Sequence, residues 1–341
     1  MSVASALAGW APVRRAFARF TANHGVRRGA DGRPRAPWIE RRRDRPYLVL
    51  LYHRVNDDRV RFFAGVPVAR FSLDLERMLE QGPALRLAEL VERSISGDVP
   101  PGAWALTFDD GYRDNLTQAL PVLRRWGVPA TIFLTTGPID DRGPLWHDRV
   151  FDAFAAAPNL ALEVEGVPHD LSADAGRRAA LQAFLAAIRR LEPEARTARI
   201  DALVARLGVR ENSPSDRMLT WEEARAMKGQ GIDFGGHTVT HPILTRMPLA
   251  RAAEEIAACR ARITERLGVP VSLFAYPNGS REDWNTEVAA AVRDAGYRAA
   301  VTTEWGANRA GTDPFALHRV GLWHADAGEA AARLAWERFA H

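Results

Sequence analysis

The stretch "TFDDG", Thr107 to Gly111, sets two aspartates side by side directly after the apolar run "AWAL". Neighbouring like charges repel, and a strand end approached by apolar residues is a costly place to hold both. Two carboxylates share such a point when a cation lies between them, or when one keeps a proton. The glycine that follows lets the backbone turn and bring both side chains toward one place. Further along, "GGHTVTH" supplies His237 and His241, four residues apart. On a helix that spacing puts both rings on one face. Gly235, Gly236, the β-branched run Thr238–Val239–Thr240 and Pro242 argue for a single turn or loop instead. An aspartate with two histidines suits zinc or another divalent metal and leaves positions open for water and substrate.

These residues need a frame, and the chain supplies one from Tyr47 onward. "YLVLLY" is a continuous apolar run, as in a strand buried on both faces. "SLDLERMLEQG" reads as a helix with Ser72 as its cap and Gly82 as its stop. The strand "AWALTF", the helix "NLTQALPVLRRWG" and the strand "PATIFLTT" follow. Later come the strand "GIDFGG", the helix "LARAAEEIAACRARITERLG", the strand "VSLFAY", the helix "TEVAAAVRDAG" and the strand "YRAAVTT". Repeated βα units predict a parallel sheet, closed or open. In such folds the chemistry sits at the C-terminal ends of the strands. "TFDDG", "FGGHTVTH" and "FAYPNG" all fall there. Residues 142–215 break the rhythm with three helical patterns, read as a helical insertion after "PATIFL" that walls a groove or forms a packing surface.

Composition bounds the rest. The chain has 341 residues, 47% hydrophobic and 26% charged, enough for one large domain or two small ones. Its single cysteine, Cys259, excludes an internal disulfide and a cysteine-based zinc site. Residues 1–45 carry eleven arginines against Asp31, Glu40 and Asp44, a balance of +8, which leaves −4 for the rest of a chain whose net charge is +4. The basic character belongs to this arm, so the body is not expected to read nucleic acid. Within the arm, Leu7, Trp10, Val13, Phe17 and Phe20 recur at roughly helical spacing. The arm lacks the pattern of a secretory signal and is too short and charged to span a bilayer. Residues 1–25 either touch an anionic membrane peripherally or pack as a helix on their own domain, 46–341. With no export signal or transmembrane helix in view, a cytoplasmic or inner-membrane-associated site is expected.

"TFDDG" and "HTVTH" resemble the first two signature motifs of the polysaccharide deacetylase (NodB-homology) family, carbohydrate esterase family four. "FAYPNG" stands where that family has its third motif. The resemblance runs from about Tyr47 to Trp323 and is closest to the exopolysaccharide-deacetylase branch. It implies an α/β fold, a distorted (β/α) barrel, with a divalent metal, usually zinc. It also implies removal of acetyl groups from N-acetylated sugars of a polysaccharide or glycan precursor. Carried over, Asp110, His237 and His241 are the metal ligands and Asp109 is the general base. Tyr276 and Pro277 shape the sugar site, with the Tyr276 backbone N–H serving an oxyanion, and Trp284 matches a fourth-motif tryptophan.

The chain departs from that pattern at three points: the fourth motif, for which Asp283–Trp284 is the nearest match, the orientation of the base, and the general acid. Ala275 stands where many members carry the arginine that orients the base, which leaves Arg319 or Arg54 for the task. The general acid falls to His53 in "LYHRV", then to His318, then to His324. Two other readings stay open: the same chemistry on an acetyl ester or non-sugar amide, and a non-catalytic carbohydrate-binding domain. For the arm, deleting residues 1–40 is expected to leave a folded, active domain that binds anionic liposomes more weakly in co-sedimentation. Unchanged binding, or loss of folding, favours the packed helix.

Overall fold

Leu48–Tyr52 is five apolar residues long and buried throughout, which only a strand covered on both faces permits. Six further strands join it in the computed structural model, of which Trp104–Phe108, Ala130–Leu134 and Leu273–Ala275 are likewise buried throughout. The structure describes residues 45–58, 61–63, 65–210 and 217–322, with the short strands Arg27–Arg28 and Pro34–Arg35. Residues 1–25, with their expected membrane contact, lie outside the described residues. We number the strands β1 (Leu48–Tyr52), β2 (Trp104–Phe108), β3 (Ala130–Leu134), β4 (Ile232–Gly236), β5 (Leu273–Ala275), β6 (Ala299–Trp305) and β7 (Leu317–Gly321). Each pairs in parallel with the next, as Leu50 does with Leu106, and β7 returns to β1 to close the barrel. The distortion is visible in the pairing. β4 meets β5 at one pair, Gly236 with Phe274, and the β6–β7 register shifts between Val301 and Trp305.

Side chains alternate across each strand. Val49, Ala105, Phe133, Ala275, Val301 and Leu317 fill the interior. Leu50, Leu106, Ile132, Phe234, Phe274 and Val320 meet the outer helices. Those helices include α1 (Val68–Gln81). It begins at Val68 rather than at a Ser72 cap, because Pro67 fixes the backbone just ahead of it. In α2 (Leu87–Ser96), Leu87, Leu90 and Val91 join the interior cluster, so this helix plugs the N-terminal mouth. Then follow α3 (Leu120–Trp126) and α4 (Thr136–Asp141).

After α4 comes the insertion: α5 (Trp146–Ala156), α6 (Asp174–Ile188) and α7 (Pro193–Leu207) around their own core of Phe154, Leu181, Phe184, Ile200 and Leu203. It is not all helix. Ala161–Val164 and Val167–Asp170 form an antiparallel hairpin. Its turn residues Glu165 and Gly166 both take positive φ, 51° and 79°, as a tight two-residue hairpin requires. The chain returns through α8 (Trp221–Met227), α9 (Leu249–Leu267) and α10 (Thr286–Asp294). Among the described residues no helix is long and apolar enough to cross a membrane.

The closed interior is tight where β3 and β4 face each other. A Cβ on Gly235 would lie 2.4 Å from the Phe133 ring and 2.8 Å from the Leu273 carbonyl oxygen. Gly235→Ala is therefore expected to lower stability by about 1–3 kcal/mol through overpacking, read from the urea midpoint.

Candidate active site

The aspartate doublet sits where β2 ends. Alternation points Thr107 and Asp109 inward and would send Asp110 outward into the helical layer. Asp110 instead adopts φ 75°, a left-handed backbone uncommon outside glycine, and Gly111 continues at φ 88°. Gly111 N–H donates to Asp109 O at 3.0 Å, and Thr135 N–H donates to Asp110 O at 3.3 Å, fixing the turn. The reversal buries both carboxylates in one pocket, 2% and 1% exposed.

Asp109 is held by Arg319. The guanidinium donates from Nη1 to Oδ1 and from Nη2 to Oδ2, both at 2.7 Å. Its Nε donates to Thr302 O at 2.7 Å and Nη1 also reaches Thr107 Oγ1 at 3.2 Å. Arg319 is 1% exposed, so the pair lies out of water. Burial pushes the Asp109 carboxyl up, but Arg319, with His237 and His53, outweighs it and holds the carboxyl below its usual range. Of the two arginines the sequence offered, Arg54 is engaged elsewhere, donating to Asp114 at 2.8 Å. Arg319 reaches Asp109 from β7, and Ala275, at the aligned third-motif position, packs inside the barrel.

His237 directly follows β4. Its N–H donates to Leu134 O at 2.9 Å and its ring Nδ1 donates to Ala275 O at 2.7 Å. That bond places the ring proton on Nδ1 and leaves the Nε2 lone pair facing Asp110 Oδ1, 3.6 Å away. The loop to His241 is not a helix. Thr238 and His241 take positive φ, 68° and 57°. Glu255 of α9 accepts from the N–H groups of Val239 and Thr240 at 2.8 and 2.9 Å. His241 N–H donates to Thr238 Oγ1, and Trp146 Nε1 donates to His241 O at 2.9 Å. His241 Nε2 then lies 3.3 Å from Asp110 Oδ1.

These three side chains offer donor atoms within 4.8 Å of one another. Asp110 Oδ1 is buried with no hydrogen-bond partner. Burial pushes the Asp110 carboxyl well up, and Asp109 and Asp148 push it further. Burial also lowers both histidines, leaving their lone pairs free at neutral pH. An unpartnered carboxylate oxygen facing two neutral imidazoles is the donor set of a divalent cation, and the three residues fit one.

The cluster opens on a pocket of about 220 Å³. His53, at the end of β1, lines it, and burial lowers its ring to about 4. His147, a residue the sequence reading passed over inside the helical pattern "WHDRVF", also lines it. Its Nε2 is 3.9 Å from Asp110 Oδ2 and 3.1 Å from the Tyr112 hydroxyl. Only its place in the first turn of a helix beside the strand ends could have marked it. The other proposed site residues lie elsewhere. His318 has the opposite strand parity to the inward Leu317 and Arg319, with its backbone bracketed by Asn308. His324 lies outside the described residues. Tyr276 has the outward parity, its hydroxyl donates to Phe315 O at 2.9 Å, and its N–H is committed to Val301 O. Trp284 stacks on Tyr276 in the same outer layer, ring centroids 5.2 Å apart. Neither they nor Pro277 line the pocket, whose rim there is formed by Asn278 and Thr303.

Removing one partner of a buried ion pair leaves an uncompensated charge. Arg319→Met is expected to lower stability by about 3–5 kcal/mol in chemical unfolding. Arg54→Met, whose pair is nearer the surface, is expected to cost less.

The family model for polysaccharide deacetylases matches residues 96–300. YxkH of Bacillus subtilis (strain 168), named among the polysaccharide deacetylases, is 22% identical over 285 residues, covering 83% of this chain and 74% of that protein. The fold resembles the Streptococcus pyogenes deacetylase PplD at 19% identity and a TM-score of 0.59, over 85% of this chain and 98% of that one. It also resembles IcaB from Ammonifex degensii at 20% identity and a TM-score of 0.57, over 87% and 98%. The chain belongs to the polysaccharide deacetylase family.

Proposed function

We propose that the pocket hydrolyses the acetamide of an N-acetylated sugar, releasing acetate and leaving a free amine on a polysaccharide or glycan precursor. In this reading Asp110, His237 and His241 hold a divalent cation, with zinc the metal best matched to two imidazoles and one carboxylate. One observation carries the proposal: an arginine-paired carboxylate, Asp109, buried beside a three-donor cation site in one pocket. A binding module has no use for such a base. PplD was solved in complex with acetate, the acyl product of such a reaction.

When bound, the cation supplies Lewis acidity, polarising the acetyl carbonyl and acidifying the attacking water. Asp109 accepts the proton that this water loses as its oxygen bonds to the carbonyl carbon. Arg319 keeps the carboxylate ionised and fixes both its oxygens, so its remaining lone pairs face the pocket. Protonation of Asp109 strips a buried guanidinium of its counter-charge, so the carboxyl holds the proton only in passing. The proton goes on to the amide nitrogen as the C–N bond breaks. Of the histidines named for the leaving group, His53 lines the pocket and His318 does not, so His53, with His147 beside it, is placed to relay that proton to the leaving nitrogen.

Acetate release from N-acetylglucosamine oligomers, measured against acetylated xylan, tests amide against ester hydrolysis. The doublet supplies a sharper test. Asp109→Asn is expected to keep metal content near wild type while turnover falls about 10²–10⁴-fold. Asp110→Asn, His237→Ala and His241→Ala are expected to lose metal, with activity partly restored by excess zinc. Metal loss in Asp109→Asn with retention in Asp110→Asn would reverse the two roles. Full turnover in both would remove the doublet from catalysis.

A further inference from the structure

The insertion does more than stand beside the pocket. Its helix α5 contributes Trp146, His147 and Phe151 to the wall, and α6 with its cap contributes Leu185 and Arg189. It is then fastened to the barrel on three sides. On the β1 side, Phe63 from the loop before α1 stacks on Phe151, with centroids 5.1 Å apart and planes 8° from parallel. Arg61 of the same loop pairs with Asp174 at the start of α6. On the β5 side, Arg189 pairs with Asp283 at 3.1 Å. Asp283 is fixed in turn by Ser280, whose N–H donates to the same carboxylate oxygen at 3.0 Å. At the rear, Glu194 of α7 pairs with Arg251 of α9 at 2.6 Å.

An enzyme that acts on internal units of a polymer needs a groove with two exits, because the chain must leave the reacting sugar in both directions. Here the wall is joined to the barrel rim at Phe63 and at Asp283, and the half-open pocket beneath it holds about 220 Å³. That is below the roughly 300–1,000 Å³ of pockets that bury a drug-sized ligand, and suits one sugar ring with its acetamido group. Phe63, Trp146 and Phe151 line the same pocket and offer apolar surface to the C–H side of such a ring. Of these three ion pairs that fasten the wall, Arg189–Asp283 is the least exposed, with side chains 43% and 6% exposed, so it is the one whose loss matters most.

We infer that the substrate is presented as a single terminal N-acetylhexosamine unit, and that the insertion excludes internal units of a chain; this rests on the deacetylase reading above. The zinc-loaded full-length protein, given N-acetylglucosamine oligomers from dimer to hexamer, is expected to remove one acetyl per chain. Tandem mass spectrometry should place the free amine at a chain end, and the rate per chain should stay level with length. In Arg189→Ala, which unfastens the wall on the β5 side, internal free amines should appear. Loss of several acetyls from internal units by the wild type, with a rate that climbs with length, would overturn the inference while leaving the deacetylase reading intact. Absence of acetate release from every oligomer would overturn both.

Discussion

The double hydrogen bond between Arg319 and Asp109 is the interaction on which the site depends. Two carboxylates in consecutive positions, both almost wholly buried, repel each other in a medium that screens poorly. The guanidinium neutralises one of them and fixes both its oxygens at 2.7 Å. That leaves Asp110 as the charge still to be answered, and its unpartnered Oδ1 faces the two imidazoles. The division of labour between the aspartates follows from which one the arginine reaches. Strand parity decides that, because Arg319 and Asp109 both point into the barrel while Asp110 arrives by a left-handed turn.

A second constraint is how the histidines are aimed. Neither sits on a helix, so neither inherits its direction from a regular element. His237 is set by a bond to the Ala275 carbonyl, one strand away. His241 is set by positive φ at two loop positions, by Glu255 beneath the loop, and by the Trp146 indole above it. Two of these supports come from outside the barrel strands, one from α9 and one from the insertion. The cluster's geometry is therefore shared between barrel and insertion, and displacing α5 disturbs His241 through Trp146.

Much of this was legible in the chain. Six of the seven strands announced themselves as short runs at βα spacing, and the doublet and the histidine pair fell at strand ends as expected; β7, whose "LHRVG" carries His318 and Arg319, did not read as a strand. What stayed hidden depended on direction rather than type. Nothing in "LHRVG" says that Arg319 rather than His318 turns inward; only the register against the other strands does. Tyr276 and Trp284 stood in motif positions, yet the same parity turns Tyr276 to the outer layer, where Trp284 stacks on it. The hairpin at 161–170 was obscured because four-residue strands on each side of Glu165–Gly166, the second without alternation, are too short to outweigh the helical patterns around them. His147 was missed because its role rests on a long-range placement, the insertion folding back over the mouth, that no local pattern encodes.

The order of the site residues along the chain has its own consequence. Asp109 and Asp110 emerge with the second strand, the histidines with the fourth, and the arginine that tames the doublet only with the seventh. Until β7 slots in beside β1, the barrel is open and Asp109 has no guanidinium against it. A chain growing from its N-terminus thus carries Asp110, His237 and His241 through most of synthesis while Asp109 has no Arg319 against it. The strand that completes the hydrogen-bonded ring is the same one that brings the counter-charge to Asp109. Closure of the barrel and pairing of Asp109 with Arg319 are one event.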